Sequence, residues 1–357
     1  MKKTIILFVA IILATGSIYS QGLSSSGNLI KGGIEDGQKL IQAYIKPLNK
    51  AIVFGLSDVT YSQLRNNDDS RRFEINLKLA YVSLPSEDFT YDVSKLNLQY
   101  IKAKDPSKTI AQTVVGDSIK SITLVSKAKD LFNRPLFEFQ SPTGGQKSAI
   151  PLPYLGVTYR MKHTNLSINL IPFVTVPDTE MKIGMLGVQA QQDLGVFISA
   201  LKDKNYGVSL QAGGAFLYGH QDLDVSPSGV YVPVSLSGSH TGPYDNQEVD
   251  IYYTSLNTNI YGHYRFAEKY TFFAGGGFAL GSSRILMLGN YPIYEKDPTG
   301  YASVVASDVH DPLDISDTFT RAKFELGARA DWKHFFLQLS YNTTIYGGFA
   351  FNLGYKL

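Results

Sequence analysis

The sequence contains no cysteine and a single tryptophan, and only 18% of its 357 residues are charged. Without cysteine the chain forms no disulfide bond, no thiolate metal site and no cysteine-linked lipid anchor. After the N-terminal segment no run of 18 apolar residues occurs, so no helical membrane span is expected. The low charge, together with 23 Tyr, 20 Phe and 32 Gly, favours strands and turns over helices.

The first 20 residues have the pattern of a secretory signal peptide. Two lysines precede an apolar run from Ile5 to Ala14, and small residues follow. The run of roughly ten residues is shorter than the about 20 that a membrane-spanning helix needs. We therefore predict that residues 1–20 are removed on export and that the mature chain begins near Gln21.

The mature chain has no excess of either charge. The full sequence has 33 Lys and Arg against 31 Asp and Glu, and two of the lysines belong to the signal peptide. Binding to nucleic acid depends on neutralising phosphates with positive charge. We therefore predict no nucleic-acid partner.

Residues 21–50 are predicted to contain a flexible start and then a helix. Residues 21–33 are rich in Ser and Gly. Apolar residues then recur on one side at helical spacing, namely Ile34, Leu40, Ile41, Tyr44, Ile45 and Leu48. Pro47 is expected to limit this helix. Because the opposite face is not basic, we expect the helix to pack on the body of the protein and not on a membrane surface.

From Ala51 onward the hydrophobic period changes to two, which is typical of strands with different environments on their two faces. In 347–357, every second residue from Phe349 to Leu357 is apolar, and Asn352 and Lys356 lie on the other face. Several such runs have the about 9 to 11 residues that a tilted membrane strand needs, whereas soluble strands have about 5 or 6.

We predict an all-β fold in which residues 51–357 form an antiparallel transmembrane β-barrel, with residues 21–50 as a helical plug. The pattern gives about 14 strands, or about 12 without the pair 119–127 and 134–141. The predicted strands are 51–64, 71–83, 92–103, 119–127, 134–141, 148–160, 164–175, 184–198, 205–218, 251–266, 269–283, 319–332, 335–345 and 347–357.

The predicted connections alternate in length, as they do in bacterial outer-membrane barrels. With a periplasmic C-terminus, the short connections face the periplasm, namely 128–133, 161–163, 199–204, 267–268 and 333–334. The long connections then face outward, namely 104–118, 219–250 and 284–318. The C-terminal strand is expected to close the barrel against residues 51–64.

Polar side chains on strands whose other face is apolar are candidates for the lumen, because charges that face lipid are costly. These lumen-facing candidates are Asn257, His263, Lys323, Glu325 and Arg329. Solvent exposure on a soluble sheet is the alternative. In a barrel, the charges could hold the helix as a plug.

No pattern of an enzyme or of a metal site is found. The six histidines lie in no hydrolase motif, and Gly-x-Ser-x-Gly does not occur. His220 lies near Asp222 and Asp224, but in a predicted loop. The acidic stretch from Asp308 to Asp317 lacks the glycine and the closing glutamate of a calcium-binding loop. We predict no enzymatic activity, no metal and no cofactor, and a solvated outer loop at the acidic stretch.

Three short motifs resemble a known family. Leu40 to Leu48 (LIQAYIKPL), Ile150 to Val157 (IPLPYLGV) and Gly187-Val188-Gln189 resemble an uncharacterised family of Gram-negative outer-membrane proteins of unknown function. That family is similar in layout to the long-chain fatty acid transporter barrels (FadL-type), which have 14 strands and an N-terminal plug. The resemblance implies outer-membrane lipid and the barrel-assembly machinery as partners, although the assembly signal usually ends in Phe and here ends in Leu357.

Glycines interrupt two of the predicted strands, at 213–214 and at 275–277. Glycine inside a strand marks a bulge or a close approach of two backbones. Since a strand kink opens the wall in barrels of the fatty acid transporter type, we predict a perturbed wall at one of these sites. Ordinary curvature is the alternative.

The sequence leaves three hypotheses for the function. The first is passive transport of a hydrophobic or amphipathic small molecule across the outer membrane, which only the resemblance implies. The second is a closed structural or adhesive barrel that binds partners through its long outer loops. The third is a soluble exported β-protein.

Overall fold

The structure is a computed structural model, and it describes residues 34–57, 61–62, 71–127, 129, 132–135, 138–146, 148–175, 181–198, 205–224, 236–237, 242–267, 269–295, 304–343 and 346–357. The predicted signal peptide and the predicted flexible start lie outside the described residues. No helix in the described part of the chain is long and apolar enough to cross a membrane.

Ten antiparallel strands form a closed barrel around one helix, α1 (Ile34–Leu56). With all strands numbered in chain order, the barrel strands are β1 (Phe73–Ser83), β7 (Ala149–Arg160), β8 (Thr164–Thr175), β9 (Lys182–Asp193), β10 (Tyr206–Asp222), β12 (Glu248–Phe266), β13 (Tyr270–Leu288), β16 (Leu313–Asp331), β17 (Phe335–Thr343) and β18 (Gly348–Lys356). Each pairs with the next, and β1 closes the barrel by pairing with both β7 and β18.

In the described part of the chain, eight short strands lie outside the barrel wall. They are β2 (Thr90–Asp92), β3 (Ile101–Ala103), β4 (Ile110–Gln112), β5 (Thr123–Ser126), β6 (Glu138–Gln140), β11 (Leu236–Ser237), β14 (Asn290–Glu295) and β15 (Val304–His310). Single 3-10 turns occur at Ser86–Phe89, Val93–Leu96 and Leu194–Val196. Strands β2 to β6 all belong to the connection 84–148 between β1 and β7, which we call the cap.

The two ends of the barrel differ in the length of their connections. Four connections meet at the end that holds Leu357, the short-turn rim, namely 161–163, 194–205, 267–269 and 332–334. The opposite end, the long-loop rim, holds 84–148, 176–181, 223–247, 289–312 and 344–347. The predicted short connections 161–163, 267–268 and 333–334 lie at the short-turn rim, and the predicted long connections 219–250 and 284–318 lie at the long-loop rim. The alternation is incomplete, because 176–181 and 344–347 at the long-loop rim are shorter than 194–205 at the short-turn rim. Connections 104–118 and 128–133 lie within the cap and do not join neighbouring strands of the barrel.

The predicted count of about 14 or about 12 strands is wrong, because the closed barrel has ten. The predicted strands 92–103, 119–127 and 134–141 are cap segments, whose strands of three or four residues are too short to span a bilayer. Residues 51–56 continue α1 past Pro47 instead of starting a strand. A helix that is enclosed on all sides is apolar all round, so its hydrophobic period is lost.

The expected closure of the barrel, by pairing of the C-terminal strand with residues 51–64, is also wrong. Strand β18 pairs with β1 and not with residues 51–64, so that Tyr355 lies opposite Ile75. The two faces of β18 are as expected. Phe349, Phe351, Leu353 and Tyr355 are exposed on the outside of the barrel, and Asn352 and Lys356 are buried inside.

The outside of the barrel is apolar over its middle and carries aromatic rings at both ends. Exposed aromatic residues near the short-turn rim are Phe73, Tyr206, Tyr264, Phe266, Tyr270, Phe272, Trp332, Phe335 and Tyr355. Those toward the long-loop rim are Tyr81, Phe173, Phe216, Tyr341 and Phe349. Large apolar side chains such as Leu256 and Ile260 lie exposed between them. In water such a surface would be unfavourable.

The glycine-interrupted strands are regular, so the predicted perturbation of the wall is not found there. Strands β10 and β13 pair in unbroken register through residues 213–214 and 275–277. A register shift occurs instead in β8, between Ile171 and Val174. Two other glycines allow α1 to pack tightly on the wall. A Cβ atom at Gly281 would lie 2.4 Å from Val53 Cγ1, and one at Gly55 would lie 2.1 Å from Leu152 Cδ1.

Candidate functional site

Helix α1 enters the lumen from the long-loop rim, where the cap holds its first turn. The Asp36 carboxylate is fully buried and accepts hydrogen bonds from the backbone N–H groups of Gln99, Tyr100 and Ile101 at 2.7, 2.7 and 2.9 Å. About two turns further along α1, the Tyr44 hydroxyl donates to the carbonyl of Thr143 at 2.8 Å. Bonds from charged groups to buried amides are strong, so α1 and the cap form one unit.

The outer half of the lumen, next to the long-loop rim, is an apolar core. Ala51, Ile52 and Val53 of α1 have no exposed surface. The wall around them contributes inward-facing apolar side chains, namely Leu152, Met185, Leu217, Ile251, Tyr253, Ile285, Ile315 and Phe319. The Phe54 ring meets Phe319 and Tyr346 edge to face, at centroid distances of 6.2 and 5.7 Å. Such packing excludes water from this half of the barrel.

The inner half of the lumen, next to the short-turn rim, is polar, and the five lumen-facing candidates lie there on inward faces. Asn257, Lys323, Glu325 and Arg329 are almost fully buried, and His263 is partly buried. The structure brings two of them into direct contact, since Lys323 Nζ lies 3.4 Å from Glu325 Oε2. The helix end is tied to the same pair, because Lys323 donates to the carbonyl of Ser57 at 3.3 Å.

Arg329 belongs to a second, larger group of buried ions. Its guanidinium lies 2.6 Å from Glu74 Oε1 and 3.0 Å from Asp331 Oδ1, and it stacks on the Phe336 ring at 3.7 Å. Two further cations complete the group, because Arg160 pairs with Glu74 and Lys356 with Asp331. The sequence did not single out Glu74 or Arg160, although both lie on the polar phase of an alternating strand.

Tyr61 and Ser62, which follow α1 in the sequence, lie in the inner half of the lumen, and Tyr61 contacts His263. The Tyr61 ring stacks on Phe273 at 4.6 Å and lies 5.7 Å from both Tyr261 and His263. The next residue also binds the wall, because the Ser62 backbone N–H donates to Gln191 Oε1 at 2.9 Å. The described residues of α1 and of 61–62 therefore occupy both halves of the lumen. Their contacts with the wall are apolar in the outer half and include polar contacts in the inner half.

A cavity of about 400 Å³, the outer groove, lies between α1 and the cap. Lys39, Lys46 and Lys50 border it from the helix, and Tyr91 and Leu96 border it from the cap. The Tyr91 hydroxyl is buried without a hydrogen-bond partner, and burial raises the pKa of this phenol above its usual value. The groove thus combines cationic side chains, apolar surface and an unsatisfied hydroxyl, which suits an amphipathic anion.

The acidic stretch does not gather into one site. Asp314 pairs with Arg284 in a two-point contact at 2.8 and 3.0 Å. Asp317 accepts a hydrogen bond from Gln42 of α1, and Asp308 accepts one from the Tyr244 hydroxyl. These carboxylates therefore hold different elements of the long-loop rim.

Comparison with known proteins places the chain in a family. A model described as a family of unknown function (DUF6588) matches residues 1–357. The chain belongs to this family. The resemblance to an uncharacterised family of unknown function is thus confirmed. No curated protein matches the chain.

The chain is similar to several solved structures. The translocator domain of the autotransporter NalP from Neisseria meningitidis is 8% identical, with a TM-score of 0.32, over 88% of this chain and 96% of that one. Ail of Yersinia pestis is 8% identical, with a TM-score of 0.27, over 80% and 99%. A Pseudomonas aeruginosa FadL homologue is 10% identical, with a TM-score of 0.24, over 80% and 90%. Scores this low carry no argument about function.

Proposed function

We propose that this protein is an integral outer-membrane β-barrel with its short-turn rim in the periplasm. The observation that supports this is the reversal of the usual distribution of residues: apolar side chains cover the outside of a closed barrel, and ions and amides lie inside. Only lipid makes the outer surface favourable, and only a closed barrel leaves no unpaired strand edge in lipid. Heat-modifiable migration and extraction only by detergent test this; full solubility without detergent would contradict it.

We further propose that the barrel takes up an amphipathic anion through the outer groove and passes it inward when α1 moves. The groove supports this because Lys39, Lys46 and Lys50 belong to the helix that fills the lumen. A ligand that binds these side chains acts directly on the plug. Lys50 already lies 3.6 Å from Asp88 of the cap and 4.5 Å from the Tyr346 ring centre. An anion that competes for Lys50 would loosen the helix from both.

A closed binding barrel is the second candidate, and the contacts of Asp36 and the apolar packing around Ile52 favour it. In this case the long-loop rim binds its partner and nothing crosses the lumen. The two candidates differ only in whether α1 leaves the lumen.

A reversible cross-link separates the two candidates. The native sequence has no cysteine, so the pair Gly55→Cys and Leu152→Cys forms the one disulfide, between α1 and the wall. Leu152→Cys alone is the control, because Gly55 then keeps its close packing against the wall. We expect liposomes to take up a fluorescent long-chain carboxylate when the pair is reduced and to exclude it when the pair is oxidised. Equal uptake in both states would contradict passage by movement of α1. Binding without uptake in either state would favour the closed barrel.

A further inference from the structure

Strands β10 and β12 carry a paired set of polar side chains on their outer faces, beyond the apolar band and next to the long-loop rim. The register places Tyr218 opposite Tyr252, His220 opposite Asp250, and Asp222 opposite Glu248. We call these six residues the rim ladder. The sequence pattern predicts a loop at His220, but this residue lies within β10. The sequence does contain a signal for these two strands, because polar residues alternate as Tyr-x-His-x-Asp in one strand and as Glu-x-Asp-x-Tyr in the next.

Asp250 fixes the orientation of the imidazole in the rim ladder. Its carboxylate accepts hydrogen bonds from the hydroxyls of Tyr218 and Tyr252 at 2.8 and 2.9 Å. Its Oδ1 atom lies 2.9 Å from His220 Nδ1. A carboxylate held in this way keeps the proton of a neutral imidazole on Nδ1 and directs the lone pair of Nε2 away from itself. Metal-binding histidines are commonly oriented by a carboxylate of this kind.

The lone pair of Nε2 meets a second carboxylate. His220 Nε2 lies 3.2 Å from Asp222 Oδ1. When the imidazole is neutral, two acceptors face each other across this distance, and a cation between them removes the repulsion. Glu248 is the third candidate ligand. One ligand atom from each of His220, Asp222 and Glu248 lies within 4.8 Å of the others, and Glu248 Oε2 lies 4.0 Å from His220 Nδ1. Two nitrogen or oxygen ligands of a tetrahedral zinc ion lie about 3.4 Å apart, so the Glu248 side chain must rotate toward Nε2 to complete the site.

The charge of the site matches a divalent ion. The ladder holds three carboxylates, and Lys182 Nζ lies 3.8 Å from Asp222 Oδ2. With a neutral imidazole, three negative charges and this one positive charge leave two negative charges. An imidazole nitrogen with carboxylate oxygens suits Zn²⁺ or a similar transition ion, whereas Mg²⁺ and Ca²⁺ prefer oxygen ligands alone. We propose that His220, Asp222 and Glu248 bind one divalent transition-metal ion at the rim, with Asp250 as the positioning residue.

Isothermal titration of the full mature barrel in detergent micelles, first treated with EDTA, tests this site with Zn²⁺ and with Mg²⁺. The variants are His220→Gln, Glu248→Gln and Asp250→Asn, and His310→Gln is the matched control because His310 lies 3.0 Å from a single exposed carboxylate, Asp311. Heat-modifiable migration shows that each variant is folded. Electron paramagnetic resonance with Cu²⁺ detects a bound nitrogen directly.

We expect one equivalent of Zn²⁺ to bind more tightly than Mg²⁺ and to bind at least about tenfold more weakly in His220→Gln, Glu248→Gln and Asp250→Asn. His310→Gln should bind as the unchanged protein does, and the nitrogen signal of Cu²⁺ should vanish in His220→Gln alone. Unchanged Zn²⁺ affinity in folded His220→Gln would overturn the proposal. So would the absence of saturable Zn²⁺ binding, which would mean that His220 is an imidazolium ion between two aspartates.

Discussion

The two halves of the lumen are closed by different physical means. In the outer half, apolar side chains of α1 such as Ile52 and Val53 pack against an apolar wall and have no exposed surface. In the inner half, the contents are ions and amides, and Glu74, Lys323 and Arg329 are just as deeply buried. Apolar packing has no directional partner and excludes water, whereas each buried ion depends on its counter-ion. The outer half therefore closes the lumen to water, and we call it the seal. The inner half is a network of polar side chains that hold one another in place.

The largest effect is expected from a charge in the seal. Ile52→Asp places a carboxylate where the side chain has no exposed surface, and keeping it there would cost more than about 5 kcal/mol. We expect α1 to leave the lumen and planar bilayers to become conductive. Lys46→Asp, on the exposed side of the same helix, is the control and should remain silent. Silent bilayers with folded Ile52→Asp would show that the outer half is not the seal.

In the inner half, the corresponding experiment removes one ion. Arg329→Met leaves Glu74 and Asp331 with one fewer partner each, and breaking a buried pair costs about 3 to 5 kcal/mol. We expect the free energy of unfolding in urea to fall by this amount, and the double variant Glu74→Gln/Arg329→Met to lose less than the sum of the two single variants.

The exposed pair of Arg284 and Asp314 provides the matched control for this cycle, because its contact distance of 2.8 Å is similar. Solvent screens such a pair, so Arg284→Met should change stability little. Additive losses in the Glu74 and Arg329 cycle would mean that the two side chains do not depend on each other.

The difference between the halves also explains which features the sequence could predict. Strand 164–175 was predicted with the bounds that the structure has, because its residues alternate between the outside of the barrel and the lumen. Residues 51–56 have no such alternation, because all sides of the helix face the apolar core, and a continuous apolar run fits a buried strand equally well. The charged phase of β16, from Lys323 to Arg329, was visible. The pairing of Arg329 with Glu74, and of Glu74 with Arg160, was not visible, because contacts across the barrel depend on its closure, which the wrong strand count obscured.

The link between the seal and the cap can be tested at Asp36. Asp36→Ala removes the acceptor of three backbone N–H groups, at an expected cost of about 3 kcal/mol in stability. Hydrogen exchange should become faster at the amides of Gln99, Tyr100 and Ile101, while the amides of the inner half should keep their rates. Asp92→Ala is the control, since the Asp92 side chain accepts a hydrogen bond from the backbone N–H of Ser94 and so caps a turn within the cap. Faster exchange in both halves would contradict their independence.

The smallest effect concerns single amides in the inner half. Both polar atoms of the Asn342 side chain are buried without a partner, whereas the Asn259 side chain donates to Gln211 Oε1 at 3.2 Å. A buried polar group without a hydrogen bond is unfavourable, so Asn342→Leu should stabilise the barrel by about 1 kcal/mol in urea unfolding. Asn259→Leu should destabilise it by a similar amount, because it leaves Gln211 without this donor. If Asn342→Leu instead destabilises the barrel, water satisfies this amide, and the inner half is hydrated from the short-turn rim while the outer half stays dry.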